Sequence, residues 1–329
     1  MIRNLSLALT LTITTACAAA PTAAPTTPAG DLNSFVSELT AQGHDRAHLE
    51  ALLYKRTPTQ TILNAISRPA EGKPWHQYHP IFLTDQRIKG GLKFWRDNEA
   101  LLAKAEQQYQ VPAQIIVAII GVETMYGGNM GKFSVVDALY TLGFHYPPRA
   151  DFFRSELAHM FTLAQEEGWD VTKPLGSYAG AMGMGQFIPS SYRNFAVDFD
   201  GDGKRDLFTN KADAIGSVAN YFHKHHWHHG APVTLQVSVK GDVSAFIQKG
   251  LDLNQTAGQL RRAGVQIQPM IADDTPVRLF AFDLADGSKE YWLALNNFYV
   301  ITRYNRSPLY AMAVYQLSES LAEQHSRGR

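Results

Sequence analysis

The sequence has almost no cysteine and no net charge. Cys17 is the single cysteine among 329 residues, and 30 Lys and Arg residues balance 30 Asp and Glu residues. One thiol cannot close a disulfide within the chain, so the stability of the folded protein must come from its core. The balanced charge excludes the broad positive field with which proteins hold nucleic acids, and we expect no nucleic-acid partner. An aromatic content of 11% suits an uncharged, ring-shaped substrate instead.

The amino terminus carries an apolar run that is too short to span a bilayer. Arg3 precedes the apolar residues 5–13, a pattern that predicts a secretory signal peptide over residues 1–16. Cys17 follows at the place of the lipidated cysteine of a bacterial lipoprotein. Signal cleavage beside an incidental cysteine is the alternative. Residues 17–30 continue in Ala, Thr and Pro, which predicts a mobile tether.

The rest of the chain predicts an α+β protein that is predominantly α-helical. Helical spacing of apolar residues runs through residues 31–110, with a polar-aromatic loop at residues 75–78 and one helix from Thr84 to about Tyr109. Residues 111–230 form a central unit. Residues 231–296 predict a small mixed insert, with strands at 234–240, 277–283 and 290–295 and short helices at 243–249 and 256–262. Residues 297–329 return to a closing helix.

Glu123 stands at the end of one of the most apolar runs in the chain. The run begins at Val111, Pro112 suits the first turn of a helix, and Gly127 suits its left-handed C-cap. In this last turn, burial and the negative end of the helix dipole both raise the pKa of a carboxyl group. A carboxylic acid of that kind can donate a proton near neutral pH. The pattern predicts a catalytic acid, and a surface glutamate at a fraying helix end is the alternative.

A glycine-rich stretch follows about sixty residues later. Glycines at positions 180, 183 and 185 leave the backbone uncovered, so that a ligand can approach it closely. Gln186 adds both a hydrogen-bond donor and an acceptor. The stretch is predicted to line a cleft, and a turn cluster that leads into residues 189–192 is the alternative.

Residues 198–209 predict a calcium-binding loop. Carboxylates at positions 1, 3 and 5, Gly at position 6 and a main-chain carbonyl at position 7 match an EF-hand. Position 12, usually a bidentate glutamate, is Thr209, and a longer loop could close on Asp213. An acidic surface turn is the alternative, but clustered carboxylates repel one another without a cation. The predicted ligands of a structural calcium ion are Asp198, Asp200, Asp202, the Lys204 carbonyl and Asp213.

The histidine-rich residues 223–229 suggest a zinc site at first sight. Adjacent histidines point to different faces of a helix, however, and zinc sites need convergent ligands. We expect a solvated helix end at this position.

These motifs together resemble one family. The segment Gly121–Thr124, the glycine-rich stretch from Gly180, the EF-hand-like loop and Asn297–Asn305 are similar to the membrane-bound lytic murein transglycosylase B family of Gram-negative bacteria. The resemblance extends from about residue 31 to residue 317. It implies a lysozyme-like catalytic core over residues 111–230, a periplasmic location and an outer-membrane anchor through a lipid on Cys17.

The resemblance also implies a reaction and a set of site residues. The reaction cleaves the β-1,4 bond between N-acetylmuramic acid and N-acetylglucosamine in peptidoglycan glycan strands and leaves a 1,6-anhydromuramyl end. Glu123 matches the family's acid and base, and Pro148–Arg149 replaces a pair of arginines that the family can carry, which weakens any contact with a peptide stem there. The residues that match the glycan cleft are Tyr78, Ser177, Gln186, Tyr221, Tyr304, Asn305 and Tyr310.

The number of available carboxylates agrees with this reaction. Ordinary glycosidases use two carboxylates, whereas this chain offers one well-placed glutamate and a cluster of aspartates better suited to calcium. A single glutamate suffices if it acts first as acid and then as base. A hydrolytic muramidase and a non-catalytic, calcium-stabilised peptidoglycan-binding lipoprotein remain the alternatives.

Overall fold

The structure, a computed structural model, describes residues 29–67 and 72–328. The predicted signal peptide, Cys17 and the tether up to residue 28 lie outside these residues. Helices predominate, and the strands form a five-stranded and a two-stranded sheet, which confirms the predicted fold class. In the described part of the chain, no helix is both long enough and apolar enough to cross a membrane.

A run of helices forms the amino-terminal part of the described chain. Trp75 and Tyr78 are buried within a helix, so the predicted polar-aromatic loop is wrong. The helix predicted from Thr84 is interrupted at Asn98, where φ is −125° and the side-chain amide donates to the carbonyl of Phe94 at 2.7 Å. The bounds are α1 (Ala29–Ala41), α2 (Arg46–Leu53), α3 (Gln60–Ile66), α4 (Trp75–Phe82), α5 (Asp85–Asp97) and α6 (Glu99–Tyr109).

The central unit is built around one helix that is apolar on every side. This helix, α7 (Ala113–Thr124), is buried from residue 115 to residue 122 and packs against α5 and α6. A helix without a polar face is stable only inside a protein, and the sequence pattern indicated this position. The elements around it are β1 (Phe133–Ser134), α8 (Val135–His145), α9 (Ala150–Glu167), β2 (Leu175–Gly176), α10 (Pro189–Phe195) and α11 (Lys211–Lys224).

The insert is an antiparallel sheet with its own small core. Its strands are β3 (Thr234–Val239), β4 (Gln255–Thr256), β5 (Val265–Gln266), β6 (Pro276–Asp283) and β7 (Lys289–Ala294), in the spatial order β4-β6-β7-β3-β5. The helix α12 (Ala257–Arg262) begins at the capping box of Thr256 and confirms the second predicted short helix. Aromatic side chains of β6 face the rest of the protein: Phe282 packs on Trp75 at 5.2 Å and Phe280 on Phe298 at 5.5 Å between ring centroids.

The other short helix predicted in the insert, at residues 243–249, is wrong. Only a single 3-10 turn forms there, at Ser244–Phe246. The carbonyls of Gln248 and Lys249 accept hydrogen bonds from the guanidinium of Arg278, at 2.6 and 2.9 Å. A buried arginine therefore takes the carbonyls of this segment, which the spacing of apolar residues does not reveal.

Two helices close the chain and return to the central unit. They are α13 (Asn296–Tyr304) and α14 (Pro308–Arg327), and α14 packs along α7. Asn297 is fully buried and donates its amide to the carbonyls of His228 and Ala231, at 2.8 and 3.0 Å. Ser307 caps α14 by accepting from the main-chain N–H of Tyr310 at 3.3 Å. These bonds fix the turn that carries several predicted site residues.

Candidate active site

Glu123 lies in the last turn of α7, as predicted, and is partly exposed while the residues before it are buried. The predicted C-cap at Gly127 is wrong: α7 ends at Thr124, because Met125, which is the C-cap, and Tyr126 adopt left-handed conformations with φ of 52° and 62°. Such conformations are rare for residues with a side chain and persist only where the surroundings enforce them. The neighbouring structure thus fixes the direction in which the Glu123 side chain leaves the helix.

The side chain of Tyr126 helps to hold this left-handed turn in place. Its ring occupies a slot between Gly90 and Gly91 of α5 and Gly121 of α7, and its hydroxyl donates to the carbonyl of Arg87 at 2.8 Å. A Cβ atom on Gly121 would lie 2.5 Å from that hydroxyl, so the slot exists because these positions lack side chains. The sequence reasoning missed Tyr126, and the glycine pair inside α5 was the available signal.

Arg87 also binds the last turn of α7. It is only 8% exposed, and its guanidinium donates to the carbonyl of Gly121 at 3.0 Å and to that of Ile81 at 2.6 Å. A cation at the carboxy-terminal end of a helix also offsets the negative end of the helix dipole. Burial lowers the pKa of Arg87 from its usual value. Arg87 therefore links α4, α5 and the end of α7 next to Glu123.

Gly91→Ala is expected to impair catalysis without touching Glu123. The added Cβ would overlap the Tyr126 hydroxyl and approach Leu321 Cδ2 at 2.6 Å, so the turn after Glu123 must shift. We expect a loss of about 1–3 kcal/mol of unfolding free energy and a fall in kcat of roughly tenfold or more. Adding Tyr126→Phe removes the overlapping hydroxyl and should restore part of kcat. Denaturant unfolding and initial rates check this, and wild-type kcat for Gly91→Ala would contradict it.

The phenol of Tyr310 contacts the Glu123 carboxyl group directly. Its hydroxyl donates to Glu123 Oε1 at 2.5 Å, and Tyr310 is only 3% exposed in the first turn of α14. Burial, followed by the charge of Glu123, holds the pKa of Tyr310 well above its usual range. The phenol therefore stays protonated at any working pH and remains a donor to the carboxylate. The structure thus joins two of the predicted site residues.

Tyr304 and Tyr221 form an aromatic wall beside this pair. The Tyr304 hydroxyl donates to the carbonyl of Gly185 at 2.6 Å, and its ring meets that of Tyr221 edge-on at 4.7 Å. Tyr221 in turn donates to the carbonyl of Arg303 at 2.6 Å. Burial raises the pKa of Tyr221 to about 12, and burial followed by the charge of Glu123 raises that of Tyr304 well above 10. Both hydroxyls bind main-chain carbonyls, so these residues hold the backbone of the site in place.

The glycine-rich stretch folds into a tight hairpin next to Tyr304. Met182 and Phe187 exchange main-chain hydrogen bonds of 2.9 Å in both directions. Within the hairpin, Gly183 has φ of 70°, and a Cβ atom there would lie 2.6 Å from the Leu207 carbonyl oxygen. Gln186 is left-handed as well, with φ of 50°. The glycines at 180, 183 and 185 are buried against Leu139, Leu207 and Tyr304, so the prediction that they leave the backbone uncovered for a ligand is wrong: they allow protein segments to approach one another closely.

Gln186 and Ser177, the polar side chains predicted to hold the glycan, each use part of their hydrogen-bonding capacity within the protein. The amide nitrogen of Gln186 donates to the carbonyls of Met130 and Gly183, at 3.1 and 3.0 Å, which leaves its amide oxygen to accept from a ligand. Ser177 Oγ accepts from the N–H groups of Ala179 and Ala181, at 3.2 and 3.1 Å, which leaves the hydroxyl hydrogen to donate. Each side chain can thus offer a defined polar group.

Thr124 joins the hairpin to the end of α7. Its Oγ1 lies 2.8 Å from the carbonyl oxygen of Met184 and accepts from the N–H of Gly127 at 3.0 Å. Because Thr124 follows Glu123 directly, this bond fixes the carboxyl group relative to the glycine-rich stretch. The sequence reasoning named Thr124 within the family motif without giving it this role.

Tyr78 lies close to Tyr310, and Asn305 lies in the turn between α13 and α14. Tyr78 is 1% exposed in α4, and it is one of the groups whose charge raises the pKa of Tyr310. Asn305 follows α13, and its carbonyl accepts from the N–H of Ser307 at 2.7 Å. The glycan-binding roles of Tyr78, Ser177, Gln186, Tyr221, Tyr304, Asn305 and Tyr310 stay predictions.

The predicted calcium loop brings three carboxylates together. Oxygen atoms of Asp198, Asp200 and Asp202 all lie within 4.8 Å of one another, and all three side chains are exposed. Asp198 accepts from the N–H groups of Gly203 at 2.8 Å and Gly201 at 2.7 Å, and these bonds lower its pKa. Hard oxygen ligands converging in this way fit calcium.

Asp213 lies outside that cluster. It is fully buried, and its two oxygens accept from the N–H groups of Phe199 and Asp206, both at 2.8 Å. Burial, despite these bonds, raises the pKa of Asp213, and the charges of Asp200 and Asp198 raise it further. Through these two hydrogen bonds, Asp213 holds the loop in place at Phe199 and at Asp206. Its role as a calcium ligand stays a prediction. Asp206 was missed, and it holds the second half of the loop by accepting from Phe208 at 2.8 Å.

The histidine-rich segment does not converge on one point. His223 faces the carbonyl of Tyr109 at 3.1 Å, whereas His225 faces that of Tyr221 at 2.7 Å and stacks on the Tyr221 ring at 4.1 Å. Burial lowers the pKa of His225. The ring positions differ as expected for neighbours on a helix, and His225 supports a residue of the aromatic wall.

Sequence comparisons relate this chain to known transglycosylases. Residues 29–319 match the family described as Transglycosylase SLT domain. The chain is 41% identical over 290 residues to membrane-bound lytic murein transglycosylase B of Escherichia coli (strain K12). The aligned region covers 85% of this chain and 79% of that protein.

Solved structures of lytic transglycosylases have the same fold. Soluble lytic transglycosylase SltB1 from Pseudomonas aeruginosa matches with a TM-score of 0.84 and 48% identity, over 91% of this chain and all of that one (100%). Escherichia coli lytic transglycosylase Slt35, solved in complex with calcium, matches with a TM-score of 0.81 and 38% identity, over 90% of this chain and 94% of that one. The fold is therefore that of the lysozyme-like lytic transglycosylases.

Proposed function

This chain belongs to the transglycosylase SLT domain family, and we propose that Glu123 performs both proton transfers of its reaction. The protein is a peptidoglycan lytic transglycosylase. The observation that supports the role of Glu123 is its contact with the buried phenol of Tyr310 at the end of a buried, apolar helix. The carboxylates clustered at residues 198–202 are engaged by their own loop, so they do not supply a second catalytic acid.

The proposed reaction uses Glu123 twice. Protonated Glu123 gives its proton to the glycosidic oxygen, the bond from that oxygen to C1 of the muramyl residue breaks, and the muramyl N-acetyl group stabilises the cationic centre. The Glu123 carboxylate then removes the proton of the C6 hydroxyl, and that oxygen bonds to C1. The product is a 1,6-anhydromuramyl end, and Glu123 is protonated again. No water is consumed.

Tyr310 suits the step between the two proton transfers. Its hydroxyl donates to the oxygen that becomes negatively charged when Glu123 has given up its proton. The same bond orients the carboxylate for its second role as base. Ser177 and Gln186 offer a hydroxyl hydrogen and an amide oxygen that can hold sugar hydroxyl or N-acetyl groups.

Product analysis tests the proposed function. The purified protein should release muropeptides with anhydro ends, each one water lighter than the corresponding reducing end, as seen by mass spectrometry of digested peptidoglycan. Reducing ends would favour the hydrolytic muramidase. An intact polymer would favour the peptidoglycan-binding lipoprotein without turnover.

We propose that Asp198, Asp200, Asp202 and the Lys204 carbonyl hold a structural calcium ion. Calcium would remove the repulsion among three carboxylates that lie within 4.8 Å of one another. It would also offset the charges of Asp198 and Asp200 that bear on the buried Asp213. A calcium complex of the relative Slt35 supports this assignment.

Removing calcium is expected to lower thermal stability more than activity. A ligand present at about a hundred times its Kd stabilises by roughly 2.7 kcal/mol, which corresponds to a fall in Tm of about 5 °C when a chelator removes it. Activity at moderate temperature should change little, because no residue of the loop transfers a proton in the proposed reaction. Asp198→Asn with Asp200→Asn should abolish the chelator effect in thermal unfolding. An unchanged Tm with chelator in the unsubstituted protein would count against the site.

We propose a periplasmic location with a lipid anchor on Cys17. The membrane-bound relative supports a place in the envelope of a Gram-negative bacterium. The lipid anchor is inferred from the position of Cys17 directly after the apolar run. Cys17→Ala should move the protein from the membrane fraction to the soluble fraction, and an unchanged distribution would contradict lipidation.

A further inference from the structure

A buried glutamate of α9 binds the first turn of α10, the helix that follows the glycine-rich hairpin. Glu156 is only 4% exposed, and both oxygens of its carboxylate accept hydrogen bonds from Ser190. The main-chain N–H of Ser190 donates to Oε2 at 2.9 Å, and the Ser190 hydroxyl donates to Oε1 at 2.7 Å. A carboxylate is costly to bury unless such bonds compensate for its lost hydration. Glu156 therefore holds Ser190 at a fixed place against α9.

This contact takes the place of a local helix cap. The helix α10 begins at Pro189, and the residue before it, Ile188, makes no side-chain capping bond. The first N–H groups of a helix need acceptors from outside the helix, and negative charge is favourable there. Glu156 supplies from another helix what a serine or aspartate at residue 188 would supply locally. Because the acceptor comes from α9, it also fixes where α10 begins relative to α9.

The same contact holds the end of the hairpin that carries Gln186. Ser190 follows Phe187 by three residues, and Phe187 closes the hairpin through its two main-chain bonds to Met182. Gln186 precedes Phe187 and is left-handed, with φ of 50°. A residue with a side chain keeps that conformation only where the surrounding structure enforces it. A displaced Ser190 would therefore release the constraint on Gln186.

The hairpin is thus held at two places. Thr124 Oγ1, next to Glu123, lies 2.8 Å from the carbonyl oxygen of Met184 in the middle of the hairpin. Glu156 holds its end. We infer that Glu156 is a positioning residue that sets the amide oxygen of Gln186 at the distance from Glu123 that the glycan requires, an inference that rests on the proposed function. Glu156 acts through Ser190 and does not itself touch the substrate.

Glu156→Ala is expected to raise KM on peptidoglycan about tenfold with kcat nearly unchanged. A side chain that holds the sugar equally in the ground state and the transition state contributes to KM alone. Glu156→Gln should bring KM back to within about twofold, because its amide oxygen can accept from the Ser190 N–H and its amide nitrogen can donate to the hydroxyl oxygen. The rate of release of all soluble fragments measures both constants, whichever ends they carry. A lowered Tm with unchanged KM in Glu156→Ala would show a purely structural role and overturn the inference.

A double substitution tests the route through Gln186. In a Gln186→Ala background, Glu156→Ala should raise KM by less than about twofold, because the group that it positions is already absent. A further tenfold rise would mean that Glu156 acts by another route, and would overturn the inference. Ser190→Ala gives the same comparison if Glu156→Ala does not fold. It removes the hydroxyl bond and keeps the main-chain bond, so its own rise in KM should be about threefold.

Glu166→Gln is the matched control on the same helix. Glu166 binds Arg193 at 2.7 Å, near the other end of α10. This substitution also weakens the contact between the two helices, but it should leave KM unchanged. A rise in KM equal to that of Glu156→Ala would show that any loosening of α10 has this effect, and would overturn the specific role of Glu156.

Binding without turnover separates this inference from the proposed function. Release of no soluble fragments by the unsubstituted protein would refute the proposed function. Sedimentation with insoluble peptidoglycan still reports on Glu156 in that event. Glu123→Gln with Glu156→Ala should bind about tenfold more weakly than Glu123→Gln alone, and equal binding by the two proteins would overturn the positioning role.

Discussion

Glu123→Gln is expected to lower the release of anhydro-ended muropeptides by about 10³-fold or more, because the amide can neither donate a proton to the glycosidic oxygen nor remove one from the C6 hydroxyl. If Glu123 were only the acid, the substitution would block the first proton transfer alone. Because Glu123 also acts as the base, the substitution blocks both transfers. The substituted side chain is partly exposed and isosteric, so Tm should stay within roughly 2 °C of the unsubstituted protein. Chromatography of digests with mass detection measures the rate.

Glu38→Gln is the matched control. Glu38 is an exposed glutamate on α1 whose carboxylate accepts from Ser34 at 3.1 Å. The same chemical change there should leave the rate of product release unaltered. Appreciable anhydro product from Glu123→Gln, with folding intact, would show that another group transfers the protons.

Tyr310→Phe is expected to lower kcat roughly tenfold or more and to shift the pH profile. The lost hydrogen bond is to a charged oxygen, and bonds of that kind are worth about 1.5–3 kcal/mol. The Tyr310 hydroxyl donates to the Glu123 carboxylate and so favours its ionised form; removing the hydroxyl raises the pKa of Glu123. Because Glu123 must be protonated for the first step, the alkaline limb of the profile should move to higher pH. Initial rates across a pH series measure both effects.

Tyr304→Phe separates this effect from a general loss of packing. The Tyr304 hydroxyl donates to the carbonyl of Gly185 and not to Glu123. Its removal should lower activity through the glycine-rich stretch while the alkaline limb stays in place. An unmoved limb in Tyr310→Phe, or an equal shift in Tyr304→Phe, would mean that the Tyr310 contact does not set the protonation of Glu123.

The features that sequence predicted best are those encoded by neighbours along the chain. The apolar run before Glu123 predicted a buried helix and the placement of the acid in its last turn, and both are confirmed. The helix predicted from Thr84 also begins there, and the Thr84 hydroxyl caps it by accepting from the main-chain N–H of Arg87 at 3.2 Å. These signals are local, since a cap needs only a side chain a few residues from the N–H that it accepts.

The features that sequence did not reveal depend on contacts between distant segments. The slot for Tyr126 requires that α5 and α7 meet at glycines, and a glycine pair within a helix does not say which side chain fills the gap. The segment at residues 243–249 has helical spacing, but Arg278 from β6 takes its carbonyls. The position of Asp213 in the sequence suggested a calcium ligand, and its two bonds to main-chain N–H groups come from the folding of the loop above it.

Digestion of peptidoglycan in water enriched in oxygen-18 tests the central claim, that one carboxyl group closes the ring without water. The account predicts product ends that are one water lighter than reducing ends and carry no heavy oxygen, because the C6 oxygen of the sugar itself bonds to C1. Reducing ends that carry one heavy oxygen each would show that water attacks C1, and would contradict the account.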